Sequence, residues 1–150
     1  MSKKDLTHIN IKDYRHSMPI QIRFVDIDKL GHVNNATILS YFETARVAYL
    51  NDVIGRENDW FGRGLILAHS EIDYLQPVYH DDKIIAHTRT IKVGNKSFTV
   101  ENVLMRVDGK KEVLCAYATG VLVCMNYHEK LTVEIPEEWK AKLRDFDKLH

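Results

Sequence analysis

No apolar run in this chain approaches membrane-spanning length, and the basic residues at its start, Lys3 and Lys4, are followed by polar residues. Neither a membrane-spanning helix nor a secretory leader is expected, and a cytoplasmic location is. Cysteine is scarce, with only Cys115 and Cys124. They lie nine residues apart in what reads as one strand. At about 3.3 Å per residue that separates them by roughly 30 Å, on opposite faces and out of disulfide reach. No Cys-x-x-Cys or Cys/His ligand pattern accompanies them, so buried thiols are expected. Charge of one sign is also missing, since 21 Lys and Arg balance 21 Asp and Glu. No overall field draws the chain to nucleic acid or an anionic membrane, and any anion site must be local. The three prolines and seven glycines do not gather into a linker, and no repeat or low-complexity tract is present. One domain spanning residues 1–150 is the expectation.

What the chain does have is apolar residues in two different periods. Residues up to about Ser17 are polar and read as an irregular arm, Ile20 to Val25 as a short first strand, and Gly31 as a turn. From about Asn35 to Asn51, Ile38, Tyr41, Phe42, Ala45, Ala48 and Tyr49 follow helical spacing with one buried stripe. Glu43 and Arg46 lie off its centre and are expected to pair at i, i+3. Residues 53–63 read as an irregular connection or short helix. From Gly64 the pattern turns sheet-like, with Ile66, Ala68, Ile72 and Tyr74 on one parity and His69, Glu71 and Asp73 on the other, until Pro77 ends the run or places it at an edge. Lys83 to Val93, Ser97 to Val107 and Lys111 to Met125 are further strands, joined by Gly94-Asn95 and Asp108-Gly109 into an antiparallel meander. In the last of them Leu114, Ala116, Ala118 and Leu122 share one parity and Val113, Cys115, Val121 and Val123 the other. A sheet covered on both faces is implied, and one helix covers only one, so a homo-oligomer is expected. Pro136-Glu-Glu-Trp139 opens a C-terminal helix. One long helix followed by a meander is an α+β arrangement.

The densest polar string runs from Arg23 to Asn35, directly before the long helix, and holds two carboxylates, a histidine and two asparagines. A helix N-terminus offers unpaired N–H groups and a positive dipole end that polarise a carbonyl oxygen, while a carboxylate beside it delivers water or attacks directly. That points to hydrolysis of an acyl group. Asp-x-Asp is also ordinary turn and cap vocabulary, so the pair alone does not discriminate.

The whole string does more. Asp26-x-Asp28-x-x-Gly31-His32-Val33-Asn34-Asn35 followed by Glu43-x-Ala45-Arg46 resembles the signature of the hotdog-fold acyl-CoA thioesterases related to 4-hydroxybenzoyl-CoA thioesterase, and is similar to that of plant fatty acyl-ACP thioesterases. The likeness continues through Glu71-Ile-Asp-Tyr-Leu-Gln-Pro77 and Lys96-Ser97, from about Met18 to Asn126. The resemblance implies a hotdog fold, a long central helix wrapped by an antiparallel sheet. It implies hydrolysis of an acyl thioester to a free carboxylic acid and CoA, with no metal or organic cofactor. Asp28 would be the catalytic carboxylate, as nucleophile or general base, and the backbone N–H of Asn35 would bind the thioester oxygen. Lys96 and Ser97 match a region that contacts the nucleotide part of CoA. Subunits in the family pair so that active sites lie at their interface, and a homodimer or homotetramer is expected. Ile38 departs from the pattern, since related sequences often carry Tyr on the first helical turn, and it favours an aliphatic acyl group over one with a hydroxyl.

Several residues keep two readings. His32 either hydrogen-bonds the substrate carbonyl or Asp28, or orders the loop. Asn34 either caps the helix or contacts ligand, with capping the simpler role. Lys96 and Ser97 either bind phosphate or form a solvated turn. Asp26 is a structural support. Glu43 is assigned to the ion pair, although another thioesterase branch draws its carboxylate from the central helix. A second backbone donor is expected near Ala68 or His69. Neither His69, Glu71 and Asp73 nor His80-Asp81-Asp82 makes a convincing metal ligand set. Competing functions are an acyl-ACP thioesterase and a non-catalytic acyl-CoA-binding or regulatory protein of the same fold; a dehydratase fits the motif order poorly.

Overall fold

The computed structural model describes residues 5–150; of the irregular arm expected up to Ser17, residues 1–4 lie outside the described residues. The organising element is helix α1, Asn35–Val53. Asn34 caps it, its side-chain oxygen accepting from the N–H of Ala36 at 2.8 Å. The stripe of Ile38, Tyr41, Phe42, Ala45 and Tyr49 is buried as its spacing requires. Each large side chain so buried contributes on the order of 1.5–3 kcal/mol.

Strands β1 (His16–Ile20), β2 (Gly64–Tyr74), β3 (Ile84–Val93), β4 (Ser97–Asp108), β5 (Lys111–Asn126) and the two-residue β6 (Leu131–Thr132) form one antiparallel sheet. The spatial order is β1-β3-β4-β5-β2, with β6 also on β5. The meander β3-β4-β5 is the one expected, and β2 crosses over to its far side. The concave face packs on α1 in two clusters. Val33, Ile38, Phe42, Ile84 and Leu104 lie at the N-terminal end of the helix, and Tyr49, Leu50, Phe98, Val100 and Leu122 at the C-terminal end. Helix α2, Glu137–Asp147, closes the latter end through Trp139 and Leu143.

Four expectations need correction. The first strand is His16–Ile20, not Ile20 to Val25. Residues 24–26 instead form a short 3-10 turn, because the Asp26 carboxylate accepts the Arg23 N–H and folds the chain back. The parity expected for β2 fails at a bulge between Leu67 and His69. Leu67, Ser70 and Ile72 therefore line the hollow against α1, while Ile66 is 40% exposed. Cys115 and Cys124 are both free and buried, as expected, but not on opposite faces. A bulge in β5 opposite Leu104 and Met105 turns Cys115 into the same helix-facing interior as Cys124. Finally, the outer face of the sheet is partly covered within the chain: Leu6, Ile9, Ile11 and Tyr14 of the arm pack on Val103, Met105 and Tyr117. Two-sided apolarity is thus no longer by itself a reason for oligomerisation.

Candidate active site

Asp26 and Asp28 sit on the loop that enters α1, and backbone bonds hold that loop tightly. The Asn34 N–H donates to the Asp26 carbonyl at 3.0 Å, the Asp28 N–H to the His32 carbonyl at 3.0 Å, and the Val33 N–H to the Val78 carbonyl at 2.7 Å. Gly31 occupies φ +87°, a conformation that favours glycine, where the chain reverses between Asp28 and His32.

The two carboxylates have different environments. Asp26 is 2% exposed and receives four donors: the Arg23 N–H at 2.9 Å, the Arg23 guanidinium at 3.2 and 2.9 Å, and the Tyr41 hydroxyl at 2.6 Å. Burial alone pushes its pKa up, but the bonds from Tyr41 and Arg23 outweigh this and hold it below the ordinary carboxylate value. Its lone pairs are spent. Asp28 is only half-buried; one oxygen accepts from the Leu30 N–H at 2.9 Å, and the other has a single long contact, 3.5 Å, from the Asn34 amide. Among the described residues that second oxygen has no closer partner.

The first amides of α1 can be accounted for one by one. Asn34 donates to Asp26, Ala36 to the Asn34 side chain, and Thr37 and Ile38 to the Asn34 carbonyl. The Asn35 N–H donates to none of the described residues, so a donor at the positive end of the helix is left for a ligand oxygen. Asn35 lines a hollow of about 190 Å³ with His32, Ile38, Tyr74 and Pro77.

His32 is in this hollow, but its ring contacts the Val33 carbonyl at 3.4 Å and Tyr79 edge to face; its link to Asp28 runs through its backbone carbonyl. Tyr74, to which its place in the strand pattern and in the family-like string Glu71–Pro77 gives no site role, donates to the Asn35 carbonyl at 3.0 Å and ties β2 to the start of the helix. Nothing short of the register of β2 against α1 reveals that contact. The expected Glu43–Arg46 ion pair is absent: Arg46 is half-buried in the hollow between α1 and β2 and makes no ion pair or hydrogen bond among the described residues, although Glu43 lies near enough to act on its charge.

Lys96 and Ser97 are not brought to this site within one chain. Ser97 begins β4 and Lys96 precedes it, beside Cys124 and the start of α2, at the C-terminal end of α1, roughly 28 Å of helix away. Ala68, at the β2 bulge, and His69, 60% exposed beside Glu71, are likewise not among the residues lining the Asn35 hollow. Among the described residues, no group of three His, Cys, Asp or Glu side chains is placed to hold a metal ion, and no helix is long and apolar enough to cross a membrane.

The sequence matches the family model of the thioesterase-like superfamily over residues 22–143, a span that includes the loop, α1 and every strand but β1. The chain belongs to that superfamily. Its members' activity, thioester hydrolysis, is the chemistry that a helix-end donor beside an ionisable carboxylate supports. Among similar proteins, the acyl-CoA thioesterase YbgC of Haemophilus influenzae is 26% identical over 132 residues, 86% of this chain and 94% of that one. The PA5185 protein of Pseudomonas aeruginosa is 30% identical with a TM-score of 0.79, covering 90% of this chain and 93% of that one. A thioesterase of Thermus thermophilus, solved with coenzyme A and Zn, is 28% identical with a TM-score of 0.79, covering 91% and 97%. The α+β hotdog architecture expected from the motif is the one found.

Proposed function

We propose that this superfamily member hydrolyses acyl-CoA thioesters, with Asp28 as general base or nucleophile and the Asn35 N–H binding the thioester oxygen. The supporting observation is the unpaired Asn35 amide at the same helix end as a carboxylate with one oxygen held only by a long contact. As a base, Asp28 takes a proton from water, the water oxygen bonds to the carbonyl carbon, and collapse breaks the C–S bond to release a thiolate that is then protonated. As a nucleophile its oxygen bonds to the carbonyl carbon, the C–S bond breaks to release the thiolate, and water cleaves the resulting anhydride to the free acid and the regenerated carboxylate. In either route charge builds on the carbonyl oxygen, where a helix-end amide acts more strongly than in water.

An aliphatic acyl group fits the adjoining space. Ile38 and Tyr74 line the Asn35 hollow; about one helical turn and one same-face strand position further on, Phe42 and Ile72 line a second hollow of about 280 Å³ with Leu39, Leu67 and Gly120. A cavity of ~150 Å³ accommodates benzene, so this one suits a chain on the order of ten carbons. Gly120 keeps it open, since a Cβ there would meet the Leu67 side chain at 2.9 Å. The test is a released-thiol screen of acyl-CoAs from acetyl to palmitoyl with benzoyl-CoA alongside, and a carrier-protein thioester in parallel. A maximum at medium aliphatic length is expected; no turnover on any CoA ester would sink the proposal.

The position of Lys96 adds a second subunit to the reading. Among the described residues β2 pairs with β5 alone and so forms one border of the sheet, and Leu67 and Arg46 line the hollow beside it. Antiparallel pairing of two such edges about a two-fold axis reverses the helices and carries the partner's Lys96 towards this chain's Asn35. Lys96→Ala should then raise KM for CoA esters about tenfold with kcat nearly unchanged, because a remote phosphate contact binds ground and transition states alike. Mixed with Asp28→Asn chains, it should recover a low-KM fraction, as the hybrid dimer rebuilds one complete site. Light scattering that gives a monomer at full activity counts against this assembly.

A further inference from the structure

Asp28 itself is held only by loop contacts, and the loop's connection to α1 runs through its neighbour. Tyr41 lies on the second turn of α1 and is buried, at 6% exposed. Its hydroxyl donates to Asp26 Oδ2 at 2.6 Å, across 15 residues of sequence, and the same oxygen accepts the Arg23 N–H. The Asp26 carbonyl receives the Asn34 N–H, the last amide before the catalytic donor. Asp26 is thus a knot joining three things: the segment that enters the loop, the cap of the helix, and the helix body two turns in. Asp28 follows two residues later, with Ile27 bridged to Val33 between them.

We infer that Tyr41 is a positioning residue for the reaction: by gripping Asp26 from inside α1 it fixes the distance between the Asp28 carboxylate and the Asn35 amide. The inference rests on the reading that Asp28 reacts. Tyr41 lines neither hollow assigned to the acyl group, its hydroxyl bonds Asp26 rather than Asp28, and it acts through Asp26. Burial, and after it the bond to the Asp26 carboxylate, drives the Tyr41 pKa well above the ordinary value, so the phenol is a donor at neutral pH. Geometry between attacking group and carbonyl-binding donor is what such a tether controls, and a misplacement near 1 Å costs up to about 10²-fold in rate.

Tyr41→Phe removes one oxygen and keeps the ring. It should lower kcat about tenfold and leave KM within about twofold, since binding does not depend on where Asp28 points. Two comparisons separate positioning from general loosening. Tyr14→Phe breaks an equivalent buried tyrosine–carboxylate bond, the 2.9 Å contact to Glu101 on the outer face of the sheet, and should destabilise the protein comparably with kcat unchanged. In an Asp28→Asn background, Tyr41→Phe should lower kcat no further, because a tether has nothing left to aim. Asp26→Asn, run through the same cycle, gives the second reading should Tyr41→Phe fold poorly. An equal fractional loss with and without Asp28, or an equal kcat loss from Tyr14→Phe, overturns the inference. Full turnover by Asp28→Asn alone overturns the underlying reading instead, so the two failures are distinguishable.

Discussion

Asp28→Asn is expected to reduce kcat by about 10²–10⁴-fold, the range associated with removal of a general base, while changing the melting temperature little. The amide keeps the shape and the contact to the Leu30 N–H but has no negative charge with which to take a proton or attack a carbonyl. Asp26→Asn should show the reverse balance. Its four donors leave it no role in proton transfer, so turnover falls less, but a neutral amide cannot satisfy them all and the protein loses stability. Steady-state rates paired with thermal melts of the two variants decide the assignment. Equal losses of turnover at both positions, or normal turnover in Asp28→Asn, would remove Asp28 from the mechanism.

The largest effect on stability is expected on the opposite side of the sheet. Glu101 is 4% exposed and accepts from Tyr14 at 2.9 Å, Tyr117 at 2.8 Å and the Arg89 guanidinium at 2.8 Å. Glu101→Gln removes the closer of the two carboxylates beside the partly buried Arg89 and leaves it only Asp13, at 3.8 Å; breaking such a pair costs roughly 3 kcal/mol. For a chain of this size that lowers the melting temperature by about 6–12 °C. Burial raises the Glu101 pKa, but the bonds from Tyr117, Arg89 and Tyr14 prevail and hold it below the ordinary 4.5. A carboxylate with a depressed folded-state pKa contributes stability above its unfolded value and loses it as pH falls through the folded one. The gap between wild type and Glu101→Gln should therefore be full at pH 7 and narrow steadily below about pH 4. Melts at both pH values test this, and equal melting temperatures at pH 7 would show that the cluster contributes nothing.

The parts of the molecule legible in the sequence were those governed by local rules. α1, its Asn34 cap and the position of Asn35 follow from helical spacing and capping chemistry, as does the placing of Asp28 on the loop just before that helix end. The β3-β4-β5 meander follows from its turn dipeptides. What escaped depends on breaks in a period or on partners far along the chain. An alternation argument assumes an unbroken pleat, so the bulges at Ala68 and Cys115 reversed the facing of residues on one side of each. The grip of Tyr41 on Asp26, of Tyr74 on the Asn35 carbonyl and of Tyr14 on Glu101 spans 15 to 87 residues, and no short window of sequence contains both ends. The Glu43–Arg46 pair was the opposite error: correct spacing is permissive, and Arg46 turns into the seam instead.

The two borders of the sheet are unlike, and this limits how the protein can grow. One border is β1, five residues long with Pro19 in it, a strand that offers few free backbone groups and lacks one donor. The other is β2, eleven residues long. A chain with two open borders adds copies without end and makes fibres. Here, once two β2 borders meet, both outward ends of the joined sheet are the blunt β1 kind, so growth stops at a closed pair. In the proposed pairing, the short proline-bearing strand at one margin would thus protect against polymerisation from the border opposite β2.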